Sequence, residues 1–209
     1  MFTLRNLLLA AIVVAAPLTN AAPTVINFDV DGLGVPIVAN TPITTQYANL
    51  GVLFQGLEGG SPVDINAAPD PDGVTAPTAP NVMTNCANAG QGCPGNRADF
   101  VQILFDNAVG DISFELNSLG GSAVTFNLYD AASSLLETMT ISSGGSLYVP
   151  VSFTTSGISR MDGLQPNDDW GWAFDNLTFT PVATVPEPGS LALLGLGLAG
   201  LAAMRRRKQ

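Results

Sequence analysis

Histidine is absent from the 209-residue chain. That removes the imidazole base of Ser-His-Asp and Cys-His catalysis, together with every His-ligated zinc or iron site. Basic residues are almost as scarce in the middle of the chain: between residues 22 and 182 only Arg97 and Arg160 stand against sixteen acidic residues, a balance of −14. Phosphate backbones are held by Lys and Arg that replace counterions, so this stretch excludes nucleic-acid binding. Charge of either sign is sparse overall, 11% of residues against 46% hydrophobic. An acidic domain of ordinary solubility does not carry that ratio, so the acidity and the hydrophobicity belong to different segments.

The hydrophobic excess sits at the two ends. Residues 1–21 read as a secretory signal peptide: Arg5 gives the positive n-region, Leu7 to Ala16 the apolar h-region, and Thr19-Asn20-Ala21 a small-x-Ala site for signal peptidase after Ala21. The apolar run is about half the roughly 20 residues that a membrane span needs. At the other end, residues 183–209, the uncharged stretch Ser190 to Met204 stops at Arg205-Arg206-Arg207-Lys208. This pattern predicts a transmembrane helix over 190–204 with a cytoplasmic stop-transfer cluster at 205–208. Fifteen residues rise about 22 Å, short of the roughly 30 Å hydrocarbon core, which suits a transient sorting signal better than a lasting anchor. Gly195-Leu196-Gly197-Leu198-Ala199-Gly200 matches GxGxxG, but it lies inside this apolar segment with no strand after it, so it is not read as a dinucleotide fingerprint.

Just ahead of the apolar segment stands Pro186-Glu187-Pro188, whose prolines keep the chain extended as a protease substrate must be. The triplet, the short Leu/Ala/Gly helix and the Arg-rich end, in that order from Val185 to Gln209, resemble the PEP-CTERM sorting signal of exosortase-dependent bacterial surface proteins. The resemblance implies processing by exosortase, a membrane-embedded protease or transpeptidase. It also implies transient anchoring in the inner membrane of a Gram-negative bacterium, and a final place at the cell surface or in the exopolysaccharide matrix.

Residues 22–182 are expected to form one all-β domain, an antiparallel β-sandwich of the jelly-roll kind. No helical periodicity is sustained there, while period-two runs recur between turn residues. Val101, Ile103 and Phe105 share one face of a strand, and so do Ile112, Phe114 and Leu116, then Val124, Phe126 and Leu128, then Leu147, Val149, Val151 and Phe153. Val25 to Val30, Gly51 to Gln55, Leu135 to Ile141 and Trp172 to Thr180 complete eight strands, with no helical crossover of the kind a parallel sheet requires. The run from Val124-Thr-Phe-Asn-Leu-Tyr-Asp130 to Phe174-Asp175-Asn176-Leu177-Thr178-Phe179 resembles the second half of the jelly rolls found in PEP-CTERM proteins and carbohydrate-binding modules, and Ile26-Asn-Phe-Asp29 resembles their opening.

Residues 57–99 interrupt this regularity with six prolines and no long strand, and loops of that length in compact domains are functional or disordered. Cys86 and Cys93 lie inside it, and in an exported chain an even pair predicts a disulfide, here one that pins a surface loop with roughly 2.5 kcal/mol. The spacing is not CxxC, and a zinc site would need more ligands.

Without His or Lys in the domain, candidate chemistry rests on carboxylates. Strand alternation places Asp175 on the face of Leu177 and Phe179, and a buried carboxylate is costly unless paired or metal-bound. In the resembled sugar-binding jelly rolls an acid at this point ligates a structural Ca²⁺, which implies a site made by Asp175 with Asp29 and Asp31; the alternative is that Asp175 bonds turn amides at the sheet edge. Asn167-Asp168-Asp169-Trp170-Gly171-Trp172 pairs Asp168 and Asp169 with Trp170 and Trp172, the aromatic platform and polar edge that a sugar fits. The alternative there is one core tryptophan and two solvated acids. Asp70-Pro71-Asp72-Gly73 lacks the remaining EF-hand ligands and reads as a turn. The expected function is a non-enzymatic surface or matrix module associated with exopolysaccharide. The alternatives are a glycoside hydrolase using two of Asp162, Asp168 and Asp169, and a coat or adhesion subunit without a sugar site.

Overall fold

The computed structural model describes residues 21–70, 73–86, 98–118, 122–144, 147–165 and 171–182, with Gly197 apart. The signal peptide, the sorting motif Pro186-Glu187-Pro188 with its apolar stretch and basic tail, Cys93, Asp168, Asp169 and Trp170 lie outside the described residues. Ala21–Val182 forms one compact unit, and among the described residues no helix is long and apolar enough to cross a membrane.

Among the described residues twelve strands build this unit: β1 Thr24–Ile26, β2 Thr41–Pro42, β3 Val52–Glu58, β4 Ser61–Val63, β5 Asn66–Ala68, β6 Val82–Thr84, β7 Phe100–Ser118, β8 Val124–Tyr129, β9 Leu135–Ile141, β10 Val149–Ser152, β11 Ser156–Leu164 and β12 Trp172–Pro181. All pairings are antiparallel. The fold is therefore the all-β antiparallel sandwich expected from the alternation.

The 19-residue β7 belongs to both layers, which answers the sequence expectation of two separate strands. Its first half lies between β3 and β11, giving a layer β4-β3-β7-β11-β8-β9. Its second half lies between β10 and β12, whose far edge is shared by β6 and β1, and β5 and β2 follow β6. The switch falls between Phe105 and Ile112. Buried positions are Val101, Ile103 and Phe105 before it and Ile112, Phe114 and Leu116 after it, so the phase inverts while exposed Asp106 and Asn107 pass the corner and Asp111 adopts a positive φ of 50°. A sandwich corner of this kind lets one strand present its apolar face to the same core from either sheet.

Rings dominate that core. Phe114 packs against Phe126 at 4.9 Å and Phe174 at 5.4 Å, Phe28 packs edge-on against Phe174 at 5.2 Å, and Trp172 stacks on Phe174 at 5.5 Å. Such pairs add about 0.5–1.5 kcal/mol each beyond the area they bury. Gly163 in β11 is required by this packing: a Cβ there would stand 2.8 Å from Cζ2 of Trp172.

The sequence pattern locates β8 and β9 to the residue: hydrophobic and polar positions alternate throughout β8, and in β9 Met139 and Ile141 alternate with Thr138 and Thr140. It misses β11, a central strand, because Gly157, Arg160, Asp162 and Gly163 break the apolar rhythm of Ile158 and Met161. Within 57–99 the chain folds into the three-residue strands β4, β5 and β6, which bury Ala67, Ala68, Val82 and Met83.

Candidate functional site

Two outer surfaces carry the polar groups, one on each layer. On the layer containing β12, Asp175 is fully buried, but not on the face that strict alternation gives it. Asp175 pairs with Glu115 while Thr178 pairs with Ser113, so one extra residue, Asn176 at φ 54°, bulges between them. The bulge inverts the phase, and Asp175 lies on the face opposite Phe174, away from that of Leu177 and Phe179. Its Oδ2 accepts hydrogen bonds from the Thr78 amide at 2.8 Å and the Thr78 hydroxyl at 2.7 Å, and its Oδ1 accepts one from the Asn176 amide at 2.7 Å. Burial raises its pKa to about 6 in spite of the lowering effect of those donors, with repulsion from Asp29 adding to the rise.

Asp29 and Asp31 stand near this group. Asp29 Oδ1 accepts from the Asn81 amide at 2.7 Å, and Asp31 Oδ1 caps the turn amides of Leu33 and Val35 at 2.8 and 2.9 Å. The Tyr47 hydroxyl donates to the Val30 carbonyl; its own acidity is suppressed chiefly by burial, then by the fields of Asp29, Asp31 and Asp175. The three acids thus share one neighbourhood, yet among the described residues no group of three His, Cys, Asp or Glu is placed to hold a metal ion. One oxygen nearby is orphaned: Asn81 donates through Nδ2 to the carbonyls of Phe28 and Ile37, and its buried Oδ1 has no partner. A lone buried acceptor near a carboxylate suits a hard cation or a water, although the three acids are not themselves gathered into one ligand set.

The other layer presents an open face. Cross-strand register aligns Gln55, Gln102, Asp162, Asn127 and Thr138 in one row across β3, β7, β11, β8 and β9. Each is the outward residue of its strand, since Phe54, Ile103, Met161, Phe126 and Leu128 beside them are buried. The row is hydrogen-bonded: Gln102 Nε2 donates to Asp162 Oδ1 at 3.3 Å, and Thr138 Oγ1 donates to Asn127 Oδ1 at 2.8 Å. Arg160 is the only basic side chain among the described residues. Its Nε lies 3.1 Å from Asp162 Oδ1 as an ion pair, but at an angle that leaves Nε without an aligned hydrogen bond, and its guanidinium carbon sits 4.1 Å over the Tyr129 ring. Asp162 is 2% exposed, and desolvation raises its pKa against the lowering influence of Arg160.

Trp172 does not form the expected platform. It is fully buried, stacked on Phe174 and edge-on to Phe126, because its position on the core side of β12 faces the space left by Gly163. Its Nε1 is buried without a partner. Asp70, expected in a turn, accepts from the Val74 amide at 3.1 Å and from the Tyr148 hydroxyl at 2.5 Å. Cys86 is fully buried and is not a free thiol. Sequence reasoning missed Gln102, Asn127 and Tyr129 as a surface, though the outward phase of β8 was visible; without β11 the row has no middle.

Residues 184–208 match the PEP-CTERM protein-sorting motif, within one residue of the segment read from the sequence. The chain therefore carries the signal of an exported, exosortase-sorted protein. Among curated proteins none matches. Solved structures with a similar arrangement of strands include an arabinose-bound GH51 α-L-arabinofuranosidase, at TM-score 0.45 and 14% identity over 78% of this chain and 27% of that one. A family 29 carbohydrate-binding module follows at TM-score 0.42 and 15% identity, over 77% of this chain and 92% of the module. The xylan-binding CBM22-1 domain of Paenibacillus barcinonensis Xyn10C aligns at TM-score 0.42 and 12% identity, over 82% and 100%. The chain thus spans about a quarter of the arabinofuranosidase and nearly all of the binding modules.

Proposed function

We propose that this exported, exosortase-sorted protein is a non-enzymatic surface or matrix module that contacts polysaccharide through the outer face of its first layer. The observation that carries this reading is the row Gln55, Gln102, Asp162, Asn127 and Thr138, flanked by the Tyr129 ring. Amides and a hydroxyl in line along a sheet, with Gln102 held by the buried Asp162 behind them, match the hydroxyl edges of an extended glycan, and an aromatic ring matches its apolar faces. The strongly acidic domain favours a neutral glycan over an anionic one. Asp162 speaks against the hydrolase reading: a general acid or nucleophile must reach substrate, and this carboxylate is buried between Gln102 and Arg160. Binding of the mature protein to its host's exopolysaccharide tests the reading. Gln102→Ala with Asn127→Ala should weaken it at least tenfold without lowering the melting temperature by more than a few degrees, and unchanged binding would overturn it in favour of a coat subunit without a sugar site.

The same reading includes a structural Ca²⁺ held by Asp29, Asp175 and Asn81 Oδ1, with Asp31 at its margin. The orphaned Asn81 oxygen supports it; bound, the ion would neutralise the repulsion between Asp29 and Asp175. A melting temperature indifferent to EDTA would sink the metal. The proposal extends to a Cys86–Cys93 disulfide, supported by the absence of a free thiol at Cys86. It extends also to transient inner-membrane anchoring through 190–204, for which intact Arg205 to Gln209 on the mature protein would be contrary evidence.

A further inference from the structure

Between β1 and β2 the chain doubles back through Asp31-Gly32-Leu33-Gly34, and around this turn aliphatic side chains face outward: Leu33 is 79% exposed, Val35 55% and Val38 76%. No charged residue occurs from position 32 to position 57, in a domain whose balance is −14. The turn projects into open space: a Cβ on Gly34, whose φ is 81°, would meet nothing within 4 Å. Exposed aliphatic residues are ordinary when scattered, but an uncharged group of them on one fixed tip marks a contact surface.

The backbone amides of the tip indicate what it meets. Asp31 Oδ1 accepts from the amides of Leu33 and Val35 at 2.8 and 2.9 Å, and the Asp31 carbonyl accepts from the Gly34 amide at 2.9 Å. The Asp31 amide donates to the Val35 carbonyl at 2.8 Å, the Gly32 amide to the Gln46 carbonyl at 2.9 Å, and the Ile37 amide to the Asp29 carbonyl at 2.8 Å. Pro36 has no N–H, so every backbone donor of residues 31–37 is bonded within the protein. Water would serve the donors of an exposed turn equally well. An apolar phase would not, and there each donor must find its partner inside the chain.

We propose that the tip at residues 33–38 inserts into a lipid surface of neutral headgroups, with Leu33, Val35 and Val38 seated at the boundary of the acyl chains. The acid at its base, Asp31, is turned onto the turn amides. Sites that bind a protein partner draw their affinity from aromatic and Arg side chains, and the tip has neither. The acidity of the domain opposes an anionic surface. The proposal is independent of the polysaccharide face, which the other layer carries.

The test places a reporter on the tip. The mature protein carrying Leu33→Trp is mixed with phosphatidylcholine vesicles, with and without lipid brominated in its acyl chains, and the unsubstituted protein supplies the background of its own tryptophans. Leu135→Trp, at an exposed leucine of β9, is the control. The expected result is a blue-shifted emission from position 33 that the brominated lipid quenches, neither effect at position 135, and weaker partition when phosphatidylglycerol is added. Val35→Asp with Val38→Asp, in the Leu33→Trp protein, should weaken the partition at least about tenfold. Emission from position 33 that stays unshifted and unquenched would overturn the proposal, even if the protein floats with the vesicles through another segment. Equal quenching at both positions would overturn it as non-specific adsorption. A blue shift that grows with protein concentration in the absence of lipid would overturn it in favour of contact with a second copy, and tighter partition onto phosphatidylglycerol would overturn the assigned lipid class.

Discussion

Asp162 and Asp175 are both carboxylates on the outer side of a layer, both nearly inaccessible, and both raised in pKa first by desolvation. They differ in what opposes that cost. Asp162 has a cation, Arg160, beside it; Asp175 has only neutral donors, the amide and hydroxyl of Thr78 and the amide of Asn176, with Asp29 pressing in the wrong direction. The difference shows two ways of keeping an acid inside a protein that is almost devoid of bases. The first spends the only cation of the described domain on the open face. The second wraps the acid in turn amides and leaves it half-protonated near pH 6.

That contrast can be broken at several points. The largest effect is expected from Arg160→Met, which strips the cation from Asp162 and should cost about 3 kcal/mol at neutral pH, less in acid where Asp162 protonates; denaturant melts at two pH values measure it. Cys86→Ser should cost roughly 2.5 kcal/mol and abolish the sensitivity of the fold to reductant, and a wild-type melt unaffected by reductant would contradict the disulfide. Asp175→Ala should cost about 2 kcal/mol, because the Thr78 and Asn176 amides lose their acceptor in a covered site. Asp175→Asn sharpens the comparison instead of breaking it. The folded pKa of about 6 lies above the ordinary 3.8, so the contribution of Asp175 to stability is fully present below about pH 4 and is lost as pH rises through about 6. Wild-type stability should therefore fall across that window in chelator, Asp175→Asn should flatten most of the fall, and the slope that persists belongs to Asp162. Saturating Ca²⁺ should also flatten it if the ion binds Asp175. The smallest effect is expected of Thr138→Ala, within about 0.5 kcal/mol in stability, as an exposed position at the sheet edge.

The same two acids mark how far a sequence can be read here. Alternation is a local signal, and it located β8 and β9 because nothing interrupts Val124, Phe126 and Leu128 or the facing Thr138 and Thr140. It also gave Asp175 as buried, while the pairing with Asp29 came from the resemblance to sugar-binding jelly rolls. It gave the wrong face, because a bulge at Asn176 is a property of pairing with β7 and leaves no mark in composition. Asp162 was legible only as one more acid, since its partner Arg160 and its row-mate Gln102 meet it across strands far apart in the chain. Trp172 is the core tryptophan of the two readings left open for that loop, and the sequence could not choose between them: the vacancy it fills is made by Gly163, in a strand whose glycines and charges hide it. The sorting signal was fully legible, being a linear message read by an enzyme and not by a fold.

Pairing of β1 with β12 sets Thr24 opposite Phe179. The first and last strands therefore run side by side in opposite directions, and the polypeptide enters and leaves the domain at one corner. Tension applied between the two ends of the domain would therefore act at one corner and part β1 from β12 hydrogen bond by hydrogen bond, without first shearing the sheets along their length.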